Sequence, residues 1–161
     1  YNVALRHLRA PADRARSLTG RAACLSALGR DAAAEQSLTE ALTHEPTYAA
    51  ARLARAELRL FVRRNYDGAI GDFSKVLRSA TASPAECARA VKGRGIAHFR
   101  LGRRDRATQD LVSALSADST DGQTCHLLGR LAAQAGQPER AAVYAAAAEA
   151  RGYRAPVAMR E

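Results

Sequence analysis

One spacing constrains this chain more than any other feature. From Gly95 the sequence runs GIAHFRLGRRDRATQDLVSA. Gly102 stands seven positions on, Ala107 five further, bulky Leu111 four beyond that and Ala114 three later. The same template falls on Ala22, Gly29, Ala34, Leu38 and Ala41, and again on Gly129, Gly136, Ala141, Ala145 and Ala148. A degenerate copy reads Glu57, Arg64, Ala69, Phe73 and Val76. Starts separated by 34 to 38 residues mark an internal repeat, which limits the chain to folds built by stacking one unit on the next.

The template describes two helices joined by a tight turn. Gly29, Gly102 and Gly136 stand where a helix ends, a position that favours the left-handed backbone glycine adopts without strain. The small residue seven before and the Ala five after sit where the two helices approach closely, and the bulky residue fills the space beside them. Hydrophobic residues make up 47% of the chain but aromatics only 5%, so alanine carries much of the apolar content and favours helix over strand.

The units read as about 15–48, 49–84, 85–121 and 122–155, preceded by a partial repeat over 1–14 and followed by a tail over 156–161. Together they make a single repeat domain over 1–161, expected to be a fragment of a longer array that self-associates end to end or frays at Tyr1 to Pro11. Tyr1 to Leu8 reads as a second helix broken near Pro11. Thr47 is expected to cap the helix Tyr48 to Val62, and Asn65 to take the left-handed position in the turn where Arg64 replaces glycine. Ser83-Pro84-Ala85-Glu86 reads as a helix start with a capping box, and Thr120 to Gln123 as another. Ala141 to Ala148 is apolar almost all round, which predicts burial on several sides.

This pattern resembles the tetratricopeptide repeat, a family of helix-turn-helix units of about 34 residues. The resemblance is strongest at Ala22 to Pro46 and Gly95 to Ala114. It implies an all-α, right-handed superhelical solenoid of antiparallel helix pairs, whose first helices line a concave groove that binds a protein or peptide.

Applied residue by residue, the resemblance places Arg16, Arg55, Phe61, Arg89, Lys92, Phe99, Arg100, His126 and Arg130 on that groove. Leu58 and Ile96 join Phe61 and Phe99 as an apolar floor. Basic walls over such a floor suit an acidic peptide with hydrophobic anchors. The chain's formal net charge is +9, from 25 basic and 16 acidic residues, which fits such a partner. Two other readings stand beside this one. A nucleic-acid reader would use the basic turns Arg63-Arg64 and Arg103-Arg104 with Arg106, although no aromatics interleave with them for base stacking. A structural segment of a longer scaffold would need no ligand. One use within the family, capture of a C-terminal carboxylate by lysine and asparagine, is not expected, because Asn2 and Asn65 lie off the first-helix faces.

Catalytic signals are missing from the sequence. No GxxxxGK[ST], GxSxG or HExxH occurs, and His7, His44, His98 and His126 are scattered. His98 is expected to face inward with a local partner, and Asp72 and Asp110 to lie on outward faces. Cys24, Cys87 and Cys125 form no CxxC pair, which argues for a reducing, cytoplasmic setting and against a metal or a disulfide framework. No apolar run is long enough to span a membrane. The chain is therefore expected to be a binding module with no cofactor, not an enzyme.

Overall fold

A computed structural model describes residues 10–154; the readings that fall on Tyr1 to Leu8 and on 156–161 lie outside the described residues. Among the described residues there are eight α-helices and no strand. They are α1 (Pro11–Ala27), α2 (Asp31–His44), α3 (Ala49–Phe61), α4 (Tyr66–Leu77), α5 (Pro84–Arg100), α6 (Arg104–Ala117), α7 (Gly122–Gln134) and α8 (Pro138–Ala150). The short connections make each successive pair an antiparallel hairpin. The chain divides into two compact units, one running to Gly93 and one starting at Arg94, so α5 contributes its first part to the former and its last turns to the latter.

The turns obey the glycine template. Gly29, Gly102 and Gly136 have φ of 71°, 68° and 69°. At each, the residue after the glycine donates its N–H to the carbonyl five positions back, as Arg30 does to Leu25 at 2.8 Å and Arg103 to His98 at 3.0 Å. This is the Schellman closure, which satisfies helix-end carbonyls. Gly152, at φ 69°, ends α8 in the same way.

The degenerate turn differs from its reading. Arg64 itself takes the left-handed conformation, at φ 52°, while Asn65 is the N-cap of α4 and accepts a hydrogen bond from the Gly68 N–H at 3.0 Å. An Asn side chain caps well only from a non-helical backbone outside the left-handed region, so the two roles fall to adjacent residues.

The other helix starts are read in part. Ser83 and Glu86 form the expected capping box, with Glu86 N–H donating to Ser83 Oγ at 3.2 Å and Ser83 N–H to Glu86 Oε2 at 2.8 Å. At α7 the cap is Asp121, whose Oδ1 accepts from the N–H groups of Gln123 and Thr124. Thr47 does not cap α3: Tyr48 holds the N-cap position with no side-chain bond, and the Thr47 hydroxyl donates to Glu45. Pro11 begins α1, where a first-turn proline has no N–H to lose.

In the first unit α1 packs on α2, α3 on α4, α2 on α3 and α1 on α3. Its core joins Ala15, Ala22, Ala34, Leu38, Ala41 and Leu58, and small side chains at four of those positions let the helices approach closely. Phe73 is wholly buried in α4, and its ring rests on Gly93, where a Cβ would lie 2.3 Å from Phe73 Cζ. In the second unit Leu111, Leu128 and Cys125 are buried, and a Cβ at Gly95 would meet Leu111 Cγ at 3.0 Å. The close approach read from Gly95 is therefore present. The last helix departs from expectation: within α8 only Ala148 is buried and Val143 is 68% exposed. Alanine methyls are small enough to leave in water at little cost, so an alanine-rich helix can pack on one side alone.

Candidate functional site

The first helices of the hairpins carry the residues singled out above, and each unit shows its own share of them. In the first unit α1 and α3 lie side by side. Along α1 the facing side chains are small: Thr19, Ala22, Ala23 and Ser26. Along α3 they are Ala54, Glu57, Leu58 and Phe61. Small against large leaves a cavity of about 330 Å³ between the helices, floored by Ala34 and Leu38 of α2. Phe61 stands at its rim with 60% of its surface exposed, and Val62 beside it with 47%. An exposed phenylalanine at the edge of an apolar hollow is an unusual surface feature for a solvated helix end.

The arginines of this unit are engaged within it. Arg55 donates from Nε and Nη2 to the two carboxylate oxygens of Asp72, at 2.9 and 2.8 Å, and from Nη1 to the Thr39 hydroxyl. Arg59 joins the same carboxylate at 2.9 Å and reaches Glu35 at 2.7 Å. Asp72 is 3% exposed, which corrects its expected place on an outward face. It lies one position before Phe73, on the side of α4 that meets α3. Asp110, one before Leu111, is also buried and takes a forked pair from Arg94 at 2.7 and 2.8 Å. Both carboxylates clasp the two helices of their own hairpin.

Arg89 of α5 donates to both oxygens of Glu57, at 2.7 to 3.1 Å. Glu57 occupies the template position of a small residue, and its chain leaves the helix contact to lie at the cavity edge. Arg16 is exposed and pairs with Asp13 at 3.3 Å. Lys92 is half-buried. Leu58, expected as groove floor, is buried in the core of this unit.

In the second unit Arg130 of α7 lies over the Phe99 ring of α5, 5.3 Å from its centroid, a cation–π contact. Arg100 is exposed and Ile96 is buried. His126 is half-buried, its ring 5.4 Å from that of Tyr153 and its Nε2 enclosed without a hydrogen-bond partner. Burial and the nearby Arg130 charge both push its pKa below the ordinary histidine value. His98 is buried inside the α5–α6 hairpin, as read, but its Nδ1 has no hydrogen-bond partner. Burial lowers its pKa too. Asp110 works against that, while Arg103, Arg106 and Arg94 add to it.

The sequence reading did not find Glu57, Asp72, Asp110 or Gly93 in these roles. A signal for the two aspartates was present: each directly precedes the bulky template residue and follows an arginine 16 or 17 positions earlier. No three His, Cys, Asp or Glu side chains among the described residues stand close enough to hold a metal. No helix of the described residues is long and apolar enough to cross a membrane.

No protein-family model and no curated protein matches the chain. Solved structures share its fold. MamA from Desulfovibrio magneticus RS-1 superposes with a TM-score of 0.76 at 18% identity, over 86% of this chain and 75% of that one. YrrB, described as a TPR protein with an unusual peptide-binding site, gives 0.71 at 20% identity, over 83% of this chain and 66% of its own. PilW, a type IV pilus biogenesis factor, gives 0.56 at 20% identity, over 88% and 79%. The chain thus has the fold of the tetratricopeptide-type helical repeat proteins.

Proposed function

We propose that this chain is a protein-interaction module, not an enzyme, and that it takes an acidic, partly apolar peptide segment on its first-helix faces. In this reading each helix pair is one repeat unit, about 15–48, 49–84, 85–121 and 122–155. The observation that carries it is the exposed Phe61 beside an apolar cavity on the face formed by α1 and α3. The tetratricopeptide-type fold supports the class of partner. Phe99 under Arg130 supplies a second aromatic and a cation on first helices of the other unit.

The charge contacts are shared out differently from the sequence reading. Arg55 serves the fold, because its guanidinium is held by a buried carboxylate. Arg16 and Arg89 sit in exposed ion pairs, worth only about 0–1 kcal/mol, which a ligand carboxylate can replace at little cost. Arg100, Arg130, His126 and Lys92 complete the proposed contact set. The free thiols of Cys24, Cys87 and Cys125 suit a reducing, cytoplasmic setting.

The test is selection of random displayed peptides on the folded chain, followed by fluorescence anisotropy of the enriched sequences across a salt series. Enriched peptides should be net acidic with apolar residues. A Lys92→Glu, Arg100→Glu, Arg130→Glu variant should weaken them by about tenfold and flatten the salt dependence. Enrichment of basic or featureless sequences, or unchanged affinity in the triple variant, overturns the reading.

A further inference from the structure

We infer that the hollow between α6, α7 and α8 is a second ligand site, and that it takes a small carboxylic acid with a compact aromatic or alkyl body. None of the proposed peptide contacts lies in its lining, so this inference and the peptide reading stand or fall separately.

The repeat itself supplies the comparison. With Gly29 laid on Gly102, Arg64 on Gly136 and Ala69 on Ala141, the positions of α2, α3 and α4 fall on those of α6, α7 and α8. In the first unit the space beside α3 is filled from within. Arg59 donates to Glu35 of α2 at 2.7 Å and to Asp72 of α4 at 2.9 Å. Arg63, just past the end of α3, reaches Glu35 at 3.7 Å. The counterparts of Arg59 and Arg63 are Leu131 and Ala135, and those of Glu35 and Asp72 are Thr108 and Tyr144. The ionic bridge is gone from the second unit, and these same four residues line a cavity of about 550 Å³ there. That volume falls inside the range of ligand pockets, about 300–1,000 Å³.

The charge at this place is also reversed. Asp31 and Gly68 of the first unit correspond to Arg104, which begins α6, and Arg140 of α8, and both arginines line the cavity. Arg140 uses one N–H on Gln137 Oε1, at 2.9 Å, and a guanidinium has several more. Asp105, exposed in the first turn of α6, is the one carboxylate among the lining residues, so positive charge prevails. The first unit sets carboxylates on its second helices around a guanidinium from the first helix. The second unit sets guanidiniums on its second helices around an apolar wall. A complementary guest carries a carboxylate, which accepts charge-assisted hydrogen bonds from Arg104 and Arg140. Its apolar body lies on Leu131 and Ala135, beside the Tyr144 ring. A cation would be repelled by the two arginines, and an anion without a body would leave the apolar wall in water.

The experiment is a titration of the ¹⁵N-labelled chain at neutral pH, observed by NMR, with 2-naphthoate and, separately, with 2-naphthalenemethanol, 2-naphthylmethylamine and acetate. 2-Naphthoate should give saturable shifts at the amides of residues 104–109, 128–135 and 137–144. The matching amides of the first unit, 31–36, 56–63 and 65–72, should not move, because their groove is already bridged. The neutral alcohol, the amine and acetate should each bind about tenfold more weakly or less. Arg104→Gln with Arg140→Gln should weaken 2-naphthoate by about tenfold and leave the alcohol unchanged. Ala135→Phe, at an exposed position after the last turn of α7, should fill the site and abolish the shifts without touching the core. Thr108→Glu, Leu131→Arg, Ala135→Arg and Tyr144→Asp together would install the first unit's bridge and should abolish them too. Circular dichroism shows whether that fourfold variant folds, and Ala135→Phe decides the matter if it does not. Several results overturn the inference. These are no saturable shift at the named amides, an equal response to the alcohol or the amine, equal shifts at the first unit's matching amides, affinity unchanged by the double arginine variant, or shifts that survive Ala135→Phe.

Discussion

At the scale of the residue, Arg64 shows how far a local rule carries. The turn after α3 needs a left-handed residue, as the other hairpin turns do, and where they have glycine this one has arginine at φ 52°. An L-residue with a Cβ pays roughly 1 kcal/mol or more for that conformation. Arg64→Gly should therefore raise stability by about 0.5–1 kcal/mol in urea unfolding, net of glycine's greater freedom in the unfolded chain. An unchanged midpoint would mean the arginine side chain offsets its own strain. The glycines inside helices make the opposite point. At Gly93 a Cβ would lie 2.3 Å from a ring carbon of Phe73, which is wholly buried and has nowhere to move, so Gly93→Ala should cost about 1–3 kcal/mol. At Gly71 a Cβ would meet nothing within 4 Å, so Gly71→Ala should instead stabilise by about 0.5–1 kcal/mol through helix propensity. Thermal melts of the two variants on either side of the parent would establish this contrast. The turn glycines were legible because a helix end is a local event, decided within a few residues. The roles of Gly93 and Gly71 were not, because each depends on which side chain another helix brings alongside.

At the scale of the element, the hairpins are joined by charge as well as by packing. Asp72 of α4 is buried under Arg55 and Arg59 of α3, and Arg59 continues to Glu35 of α2, so one network ties three helices. From a single helix such a carboxylate reads as surface charge, and Asp72 and Asp110 are accordingly expected on outward faces. The partner helix decides otherwise. A residue one position from the buried Phe73 is turned about 100° from it, far enough to leave the core and still near enough to face α3. The cost of burying such a pair is close to what the pair returns, but removing one member leaves the other uncompensated. Asp72→Ala should therefore destabilise the first unit by about 3 kcal/mol, more than a surface carboxylate would. Replacing Arg55 by Met in the same chain should recover part of that loss. A double variant as unstable as the sum of its two single changes would show that the two side chains act independently.

At the scale of the whole molecule, the repeat made the fold readable. A glycine, three small residues and a bulky one at fixed offsets specify a hairpin, and the recurrence of that template, once in degenerate form, specifies the helix order from α1 to α8. The candidate site was less readable, since a basic residue on a first helix can serve either a ligand or the neighbouring helix, and Arg55 shows the second outcome. The same ambiguity covers the histidines, and there it leads to a prediction for the molecule's stability. His98 and His126 each have one enclosed ring nitrogen without a partner, and burial is the first cause lowering both pKa values. Around His98 the Asp110 carboxylate favours the charged form, but Arg94, Arg103 and Arg106 oppose it; beside His126, Arg130 opposes it. In the unfolded chain both titrate near the ordinary value of about 6.5. At pH well above that, folded and unfolded states are both neutral there, and the histidines add no pH dependence. As pH falls through about 6.5, the unfolded chain binds protons that the folded chain still refuses, so stability falls, and the fall ends only below the lowered folded values. The melting temperature should therefore drop between about pH 7.5 and about pH 5.5, before most carboxylates titrate. A His98→Gln, His126→Gln chain, which cannot take up these protons, should show a much flatter profile over the same interval. If the parent's melting temperature is level across that range, or rises, the two imidazoles are not held neutral by the fold.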